Sequence, residues 1–129
     1  MAITTVTYQN SKPYSGVALQ PFADIVLIGP LRSWPISAVL VDSGADYIQV
    51  PEVAANNAGL LVAPTWISVR TVGGWLNMKK QANVDVEVEG VLISVDLLCH
   101  PSPTSRPLLG RNALRALVNI GFNVADWLW

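Results

Sequence analysis

An acidic residue ends an apolar run in the first half of the chain, and it is the residue best placed to do chemistry. Residues 36–41 have the composition of a strand with a buried face, and Asp42 follows them directly. A carboxylate at this position loses hydration unless it gains hydrogen bonds or performs a reaction. Ser43 can donate through its hydroxyl, and Gly44 lets backbone amides approach the carboxylate. Because these residues are also common turn formers, an ordinary turn is the alternative reading of the tripeptide alone.

The rest of the chain offers few other reactive groups. Cys99 is the one cysteine and His100 the one histidine of the sequence. A single cysteine excludes an intrachain disulfide, and one Cys-His pair lacks a second pair at metal-ligand spacing. A Ser-His-Asp triad would have to use His100, and nothing near it resembles a nucleophile elbow. We therefore expect no metal and no cofactor, so hydrolysis by this chain would have to use carboxylates.

Composition indicates one domain that buries apolar surface in a partner. The chain has 129 residues, of which 51% are hydrophobic and 13% charged, and its mean hydropathy is +0.40. These values are high for a small soluble monomer, and a symmetric homodimer is the commonest way to cover such surface. The net charge of −1 provides no basic patch, so we expect neither nucleic acid nor an anionic membrane as a partner.

The two ends of the sequence differ in character. Residues 1–20 are polar and lack the basic start and apolar core of a signal peptide, so we predict an N-terminal arm that is flexible or a pro-segment. The remaining residues, 21–129, form the predicted domain. Because no run reaches the ~18 apolar residues of a membrane helix, we expect a cytoplasmic protein, or a virion protein if the chain is cut from a polyprotein.

Alternating apolar residues predict a mostly β chain with two helices. A short helix is predicted at residues 51–59, because Pro51 suits a first helical turn and Gly59 suits a helix end. A second helix is predicted at residues 113–118, with Asn112 as its N-cap and Gly121 as its stop. Strands are predicted at residues 25–28, 36–41, 47–50, 60–69, 84–88, 91–98 and 108–109, with a hairpin tip at 72–75.

Three motifs in this order resemble those of the retropepsin-like aspartic proteases, the homodimeric relatives of retroviral proteases. The family's apolar-apolar-Asp-Thr/Ser-Gly-Ala signature is similar to Val39-Leu40-Val41-Asp42-Ser43-Gly44-Ala45-Asp46. Its flap tip, Gly-Gly-aromatic, is similar to Val72-Gly73-Gly74-Trp75. Its apolar-apolar-Gly-Arg-Asn/Asp-x-Leu motif is similar to the run from Leu108 to Leu114. The resemblance covers about residues 22–122, and the arm, residues 51–59 and the aromatic tail depart from the family's usual pattern.

The resemblance implies a closed β-barrel or sandwich with a flap hairpin and a short C-terminal helix, one lobe per chain. It also implies an aspartic endopeptidase that is active as a homodimer and cleaves extended peptides at acidic to near-neutral pH. Asp42 and its symmetry mate would share one proton and activate a water between them, as is general for aspartic proteases.

Roles for other residues follow from the same resemblance. Ser43 would hydrogen-bond across the dimer, Gly44 would permit close approach of the substrate, and Arg111 would pair with Asp46 behind the active-site loop. Substrate contacts are expected from the active-site loop, the flap and one pocket residue: Ala45, Asp46, Val72, Gly73, Gly74, Trp75 and Leu108. Two alternatives remain open: a catalytically silent retropepsin-like domain for dimerisation or peptide binding, and an unrelated small β-barrel that binds a ligand.

Overall fold

The computed structural model describes residues 11–117, 120–122 and 126–129. Strands make up 51% of it and helices 11%, which confirms the predicted mostly β class. In chain order the elements are β1 (Phe22–Ile28), β2 (Ser33–Val41), β3 (Ile48–Pro51), α1 (Glu52–Ala58), β4 (Thr65–Thr71), β5 (Gly74–Val88), β6 (Val91–His100), β7 (Leu108–Leu109) and α2 (Arg111–Ala116).

The strands form a single mixed sheet in the order β1-β2-β7-β3-β6-β5-β4. β1 pairs with β5 as well as with β2, so the sheet closes on itself and leaves β4 outside as an edge strand. Two parallel pairings, β2 with β7 and β3 with β6, cross the otherwise antiparallel arrangement. The second parallel pairing aligns Val50 with Cys99, which places the end of β3 beside the end of β6.

The core lies inside this closed sheet and is built from alternate residues of the strands. Ala23, Ile25 and Leu27 point inward from β1, and β5 contributes an inward row of three valines at 84, 86 and 88. Each fully buried Val, Leu or Ile contributes about 1.5–3 kcal/mol relative to an exposed one. The alternation predicted for residues 84–88 is therefore confirmed, as the last third of the long strand β5.

Helix α1 confirms the prediction for residues 51–59. Gly59 ends it in the left-handed conformation, with φ of 78°, and its N–H donates to the Asn56 carbonyl at 3.0 Å. Three alanines on one face of α1 (54, 55 and 58) are buried in the core. The extended segment predicted at residues 60–69 begins only at Thr65, because Leu60 is still tied to the helix end by its N–H bond to Ala55.

Helix α2 starts earlier and ends earlier than predicted. Gly110 is its N-cap residue, so the prediction of Asn112 as N-cap is wrong. The Asn112 side chain instead accepts a bond from the Ile48 N–H and donates to the Asp96 carbonyl, both at 2.7 Å, which ties α2 to β3 and β6. The chain leaves the helix at Leu117, whose ψ of 139° is extended, so the predicted stop at Gly121 is also wrong. Val118, predicted to lie on the apolar face of this helix, is outside the described residues.

The two ends of the described chain pair with each other. We call residues 12–14 and 127–129 the terminal ribbon: the Lys12 N–H donates to the Trp129 carbonyl at 2.9 Å, and the Tyr14 N–H to the Trp127 carbonyl at 2.7 Å. The Trp129 side chain is only 7% exposed, and its indole N–H donates to the Phe22 carbonyl. Residues 12–14 of the predicted arm are therefore attached to the domain, whereas residues 1–10 lie outside the described part.

None of the helices in the described ranges has the length and apolar composition that crossing a membrane requires.

Candidate active site

Asp42 lies where β2 leaves the sheet beside β7. The parallel pairing aligns Leu40 with Leu108 and Val41 with Leu109. The next residue continues this contact, because the Asp42 N–H donates to the Leu109 carbonyl at 3.0 Å. The main chain of a distant strand thus fixes the backbone of the predicted catalytic residue. Val41 and Leu109 are buried, so the packing of the core holds both strands in place.

The Asp42 carboxylate is bound by the turn that follows it. Its Oδ1 accepts the Gly44 N–H at 2.9 Å, and the Ala45 N–H donates to the Asp42 carbonyl at 3.2 Å. A Cβ at Gly44 would lie 3.1 Å from Oδ1, so glycine leaves room for this close turn. Asp42 is half-buried, whereas Ser43 and Gly44 are exposed. The carboxylate therefore sits at the base of an exposed loop with one of its oxygens already hydrogen-bonded.

Cations do not account for the position of Asp42. None of the ion pairs among the described residues includes it. In the same part of the chain, no group of three or more histidine, cysteine or acidic side chains could hold a metal ion. The ordinary-turn interpretation accounts for the Gly44 and Ala45 contacts, but it does not account for the pairing of this turn with β7.

The start of α2 contacts the other side of the Asp42 loop. The Arg111 N–H donates to the Ala45 carbonyl at 2.8 Å, and the Asn112 N–H donates to the Asp46 carbonyl at 3.1 Å. The Arg111 guanidinium also pairs with the Asp46 carboxylate, the contact predicted from the sequence. Both side chains are more than half exposed, so this pair contributes at most about 1 kcal/mol. The backbone bonds are the more important link between the two segments.

Gly110 lets the two segments approach this closely. A Cβ at this residue would lie 2.2 Å from the Tyr47 carbonyl oxygen, well inside any allowed contact. Leu108, the predicted pocket residue, precedes this junction on β7 and is half-buried opposite Gln49. The structure therefore brings together Asp42, Ser43, Gly44, Ala45, Asp46, Leu108 and Arg111.

The four predicted flap residues lie apart from this cluster. β4 and β5 form the predicted hairpin, with Thr71 opposite Gly74 and a two-residue turn between them. Gly74 has a φ of 112°, a conformation that residues with a side chain rarely adopt. Val72 and Trp75 are exposed at the tip, and no hydrogen bond in the described part of the chain joins residues 72–75 to the Asp42 loop. The predicted hairpin is present, and its tip lies in solvent.

The two faces of this hairpin carry different side chains, a difference that the motifs alone do not predict. Trp75 lies opposite Arg70, whereas Leu76 lies opposite Val69 on the other face. That second face continues along β5 through Met78 to Lys80, whose ammonium lies 5.6 Å from the centre of the Tyr47 ring. Tyr47 adjoins the Asp42 loop, so Val69 and Leu76 share the face that leads towards the candidate site. Period-two alternation along residues 69–80 is the signal that identifies them.

Comparison of the chain with protein-family models and with curated proteins finds no match. The motifs and the site geometry therefore carry the functional inference.

Proposed function

We propose that this chain is one half of a homodimeric aspartic endopeptidase of the retropepsin type. The observation that carries the proposal is the setting of Asp42. A half-buried carboxylate, held by the Gly44 N–H, lies where β2 meets β7 and where α2 contacts the same loop. An ordinary surface turn does not require two distant segments to hold it from both sides.

Peptide hydrolysis by carboxylates needs two of them. One takes a proton from the attacking water while the other donates a proton to the substrate carbonyl oxygen, and the tetrahedral intermediate then expels the amine. Asp46 is engaged by Arg111, so it is a poor candidate for the second acid within the chain. Asp42 of a second copy supplies the second carboxylate when a two-fold axis passes beside the exposed Ser43-Gly44 turn.

The surroundings of Asp42 fit the supporting roles that the resemblance implies. Ser43 is exposed beside the carboxylate, where its hydroxyl can bond to the partner's loop. Arg111 forms an ion pair with Asp46, and its N–H binds the carbonyl of the half-buried Ala45. The hairpin tip at residues 72–75 closes over a bound peptide, and Leu108 contributes to an apolar pocket. Exposed aromatic side chains outside the hairpin tip, among them Trp127 at 45% exposure, support the association of two copies.

The test compares wild type with Asp42→Asn on a peptide library at several pH values. Asp85→Asn is the matched control, because it makes the same change on an exposed position of β5. We expect Asp42→Asn to lower the cleavage rate on the order of 10³-fold or more, while Asp85→Asn cleaves like wild type. Analytical ultracentrifugation of all three proteins should show dimers under the conditions of cleavage.

Two outcomes contradict the proposal. The first is cleavage that survives in Asp42→Asn, and the second is cleavage by a protein that is strictly monomeric. If wild type dimerises and binds peptides without cleaving any, the catalytically silent domain replaces the protease as the better reading.

A further inference from the structure

A wide-open cavity of about 510 Å³ lies beside the candidate active-site loop. Its walls are formed by the end of that loop and by one side of α2: Asp46, Tyr47, Arg111, Asn112 and Arg115. A space of this size accepts a side chain of a bound peptide together with its hydration water. None of the motifs that led to the proposed function includes Tyr47 or Arg115.

The charges that line the cavity do not balance. Arg111 and Asp46 form an ion pair and offset each other. Asn112 uses both ends of its amide to bind β3 and β6, so it has a structural role. Arg115 is exposed, and none of the ion pairs or hydrogen bonds formed within the described ranges includes its guanidinium. Among the described residues, the Arg115 guanidinium is therefore the one charge of the cavity lining that no ion pair offsets.

The ring of Tyr47 favours an amphipathic side chain over a free ion as the occupant of this cavity. This half-buried ring forms an apolar wall, and the Lys80 ammonium lies 5.6 Å from the ring centre. An acidic side chain has an apolar stem that can pack on such a ring and a planar carboxylate that matches the fork of a guanidinium.

In the proposed protease, a peptide bound along the Asp42 loop passes beside the cavity. Asp46 lines it and is four positions after Asp42 in the same loop, whose backbone is bonded to α2 through Ala45 and Asp46. An extended peptide that runs along this loop places a side chain a few positions from the cleaved bond over the cavity, since alternate side chains point to the same side.

We propose that Arg115 and Tyr47 form a subsite for a glutamate or aspartate side chain of the peptide substrate, so that the enzyme prefers acidic residues at one position beside the cleaved bond. This proposal rests on the proposed function, because it needs a peptide bound along the Asp42 loop. Arg115 acts in substrate binding and takes no part in the cleavage step.

The test uses peptide pairs that differ by Glu against Gln at a single position, scanned on both sides of a sequence that wild type cleaves. At one position we expect the Glu peptide to have a KM about three- to fivefold lower than its Gln partner, with equal kcat. High salt should reduce this ratio. Arg115→Gln should abolish the ratio, whereas Arg32→Gln, an exposed arginine on the β1–β2 turn that does not line the cavity, should keep it.

A second measurement separates this proposal from the proposed function. Asp42→Asn protein is titrated with fluorescent pools of random peptides that contain either Glu or Gln, and binding is followed by polarisation. Tighter binding of the Glu pool that disappears in the Asp42→Asn, Arg115→Gln double variant supports the subsite, even if wild type cleaves nothing. If an active wild type has equal KM values for every Glu and Gln pair, the subsite proposal is wrong. The proposed protease function is unaffected by that result. An Arg115→Gln effect on dimer dissociation alone, with the Glu preference intact, overturns the subsite proposal too.

Discussion

Within the described residues, the hydrogen-bond partners that position Asp42 are main-chain atoms. Its N–H is bound to the Leu109 carbonyl and its Oδ1 to the Gly44 N–H. Main-chain contacts do not depend on the rotamers of neighbouring side chains, so the position of the carboxylate follows from how β2 and β7 pair. Substitutions of exposed neighbours such as Ser43 therefore leave the carboxylate of a single chain in place.

Cys99 shows the opposite situation, a titratable group placed where it cannot react. Burial, together with the nearby Glu52 carboxylate, raises the pKa of its thiol from 9.0 to about 12, although Lys79 acts in the other direction. The thiol is fully buried in the core. It therefore stays protonated in the folded protein at acidic and neutral pH.

This shift predicts how the stability of the protein depends on alkaline pH. Because the folded pKa is raised, the stabilisation is complete below the unfolded pKa and is lost as the pH rises from about 9 towards 12. We expect the free energy of unfolding, measured with urea, to fall over this range more in wild type than in Cys99→Ala. A thiol reagent at pH 8 should label the protein only in urea, and rapid labelling of the folded protein would contradict the burial of Cys99.

The junction of β7 and α2 is the element on which the candidate site depends most. Gly110 lies there against the Tyr47 main chain, and its neighbours Leu109 and Arg111 bind the two sides of the Asp42 loop. Any side chain at Gly110 would push the start of α2 away from that loop.

We therefore predict that Gly110→Ala lowers the free energy of unfolding by about 3 kcal/mol, because the added Cβ meets the Tyr47 carbonyl oxygen at 2.2 Å. Gly73→Ala is the control, since its Cβ would find its nearest neighbour at 3.9 Å and its φ is not positive. It should change stability by about 0.5 kcal/mol or less. Urea titrations compare the two, and equal losses would show that backbone approach at Gly110 is not the cause.

Local sequence signals predict the elements whose contacts are local. Pro51 and Gly59 predict α1 because a helix start and a helix end are each determined by one or two residues. The turn residues between β4 and β5 predict the hairpin in the same way. Asn112 was misassigned because its partners, the Ile48 N–H and the Asp96 carbonyl, are far away in sequence, and no local pattern distinguishes such a residue from a helix cap.

The candidate site likewise has parts that local sequence predicts and parts that depend on distant contacts. The motif around Asp42 and the motif around Gly110 could each be recognised in the sequence, and so could the Arg111–Asp46 pair. The cavity at Arg115 and the different faces of the hairpin could not, because they depend on how strands pair and on which side chains are left without partners.

At the scale of the whole molecule, the terminal ribbon connects both ends of the described chain to the closed sheet. Lys12 adds ion pairs with Asp24 at 3.1 Å and with Glu89. The hydrogen bond of Lys12 lowers the pKa of the Asp24 carboxyl. Trp129 fills the core side of the ribbon, while Trp127 packs edge-on against Tyr14 at its surface.

We predict that Trp129→Ala lowers the free energy of unfolding by about 4 kcal/mol, because it removes a large buried ring and its bond to the Phe22 carbonyl. Trp127→Ala removes the same side chain from a position that is 45% exposed, and should cost about 1 kcal/mol. Thermal and urea unfolding measure both. A larger loss for Trp127→Ala would mean that the ribbon is stabilised from its outer side.

The terminal ribbon also determines the order in which this protein can fold. Trp129 and Phe22 are separated by 107 positions, and the ribbon closes a loop that contains every strand of the sheet. The entropy lost on closing a loop grows with its length, so hairpins such as β4–β5 form long before the ends meet. During synthesis, the Phe22 end of β1 stays uncovered until Trp129 has left the ribosome. Burial of the Trp129 ring beside Phe22 is therefore a late step in folding.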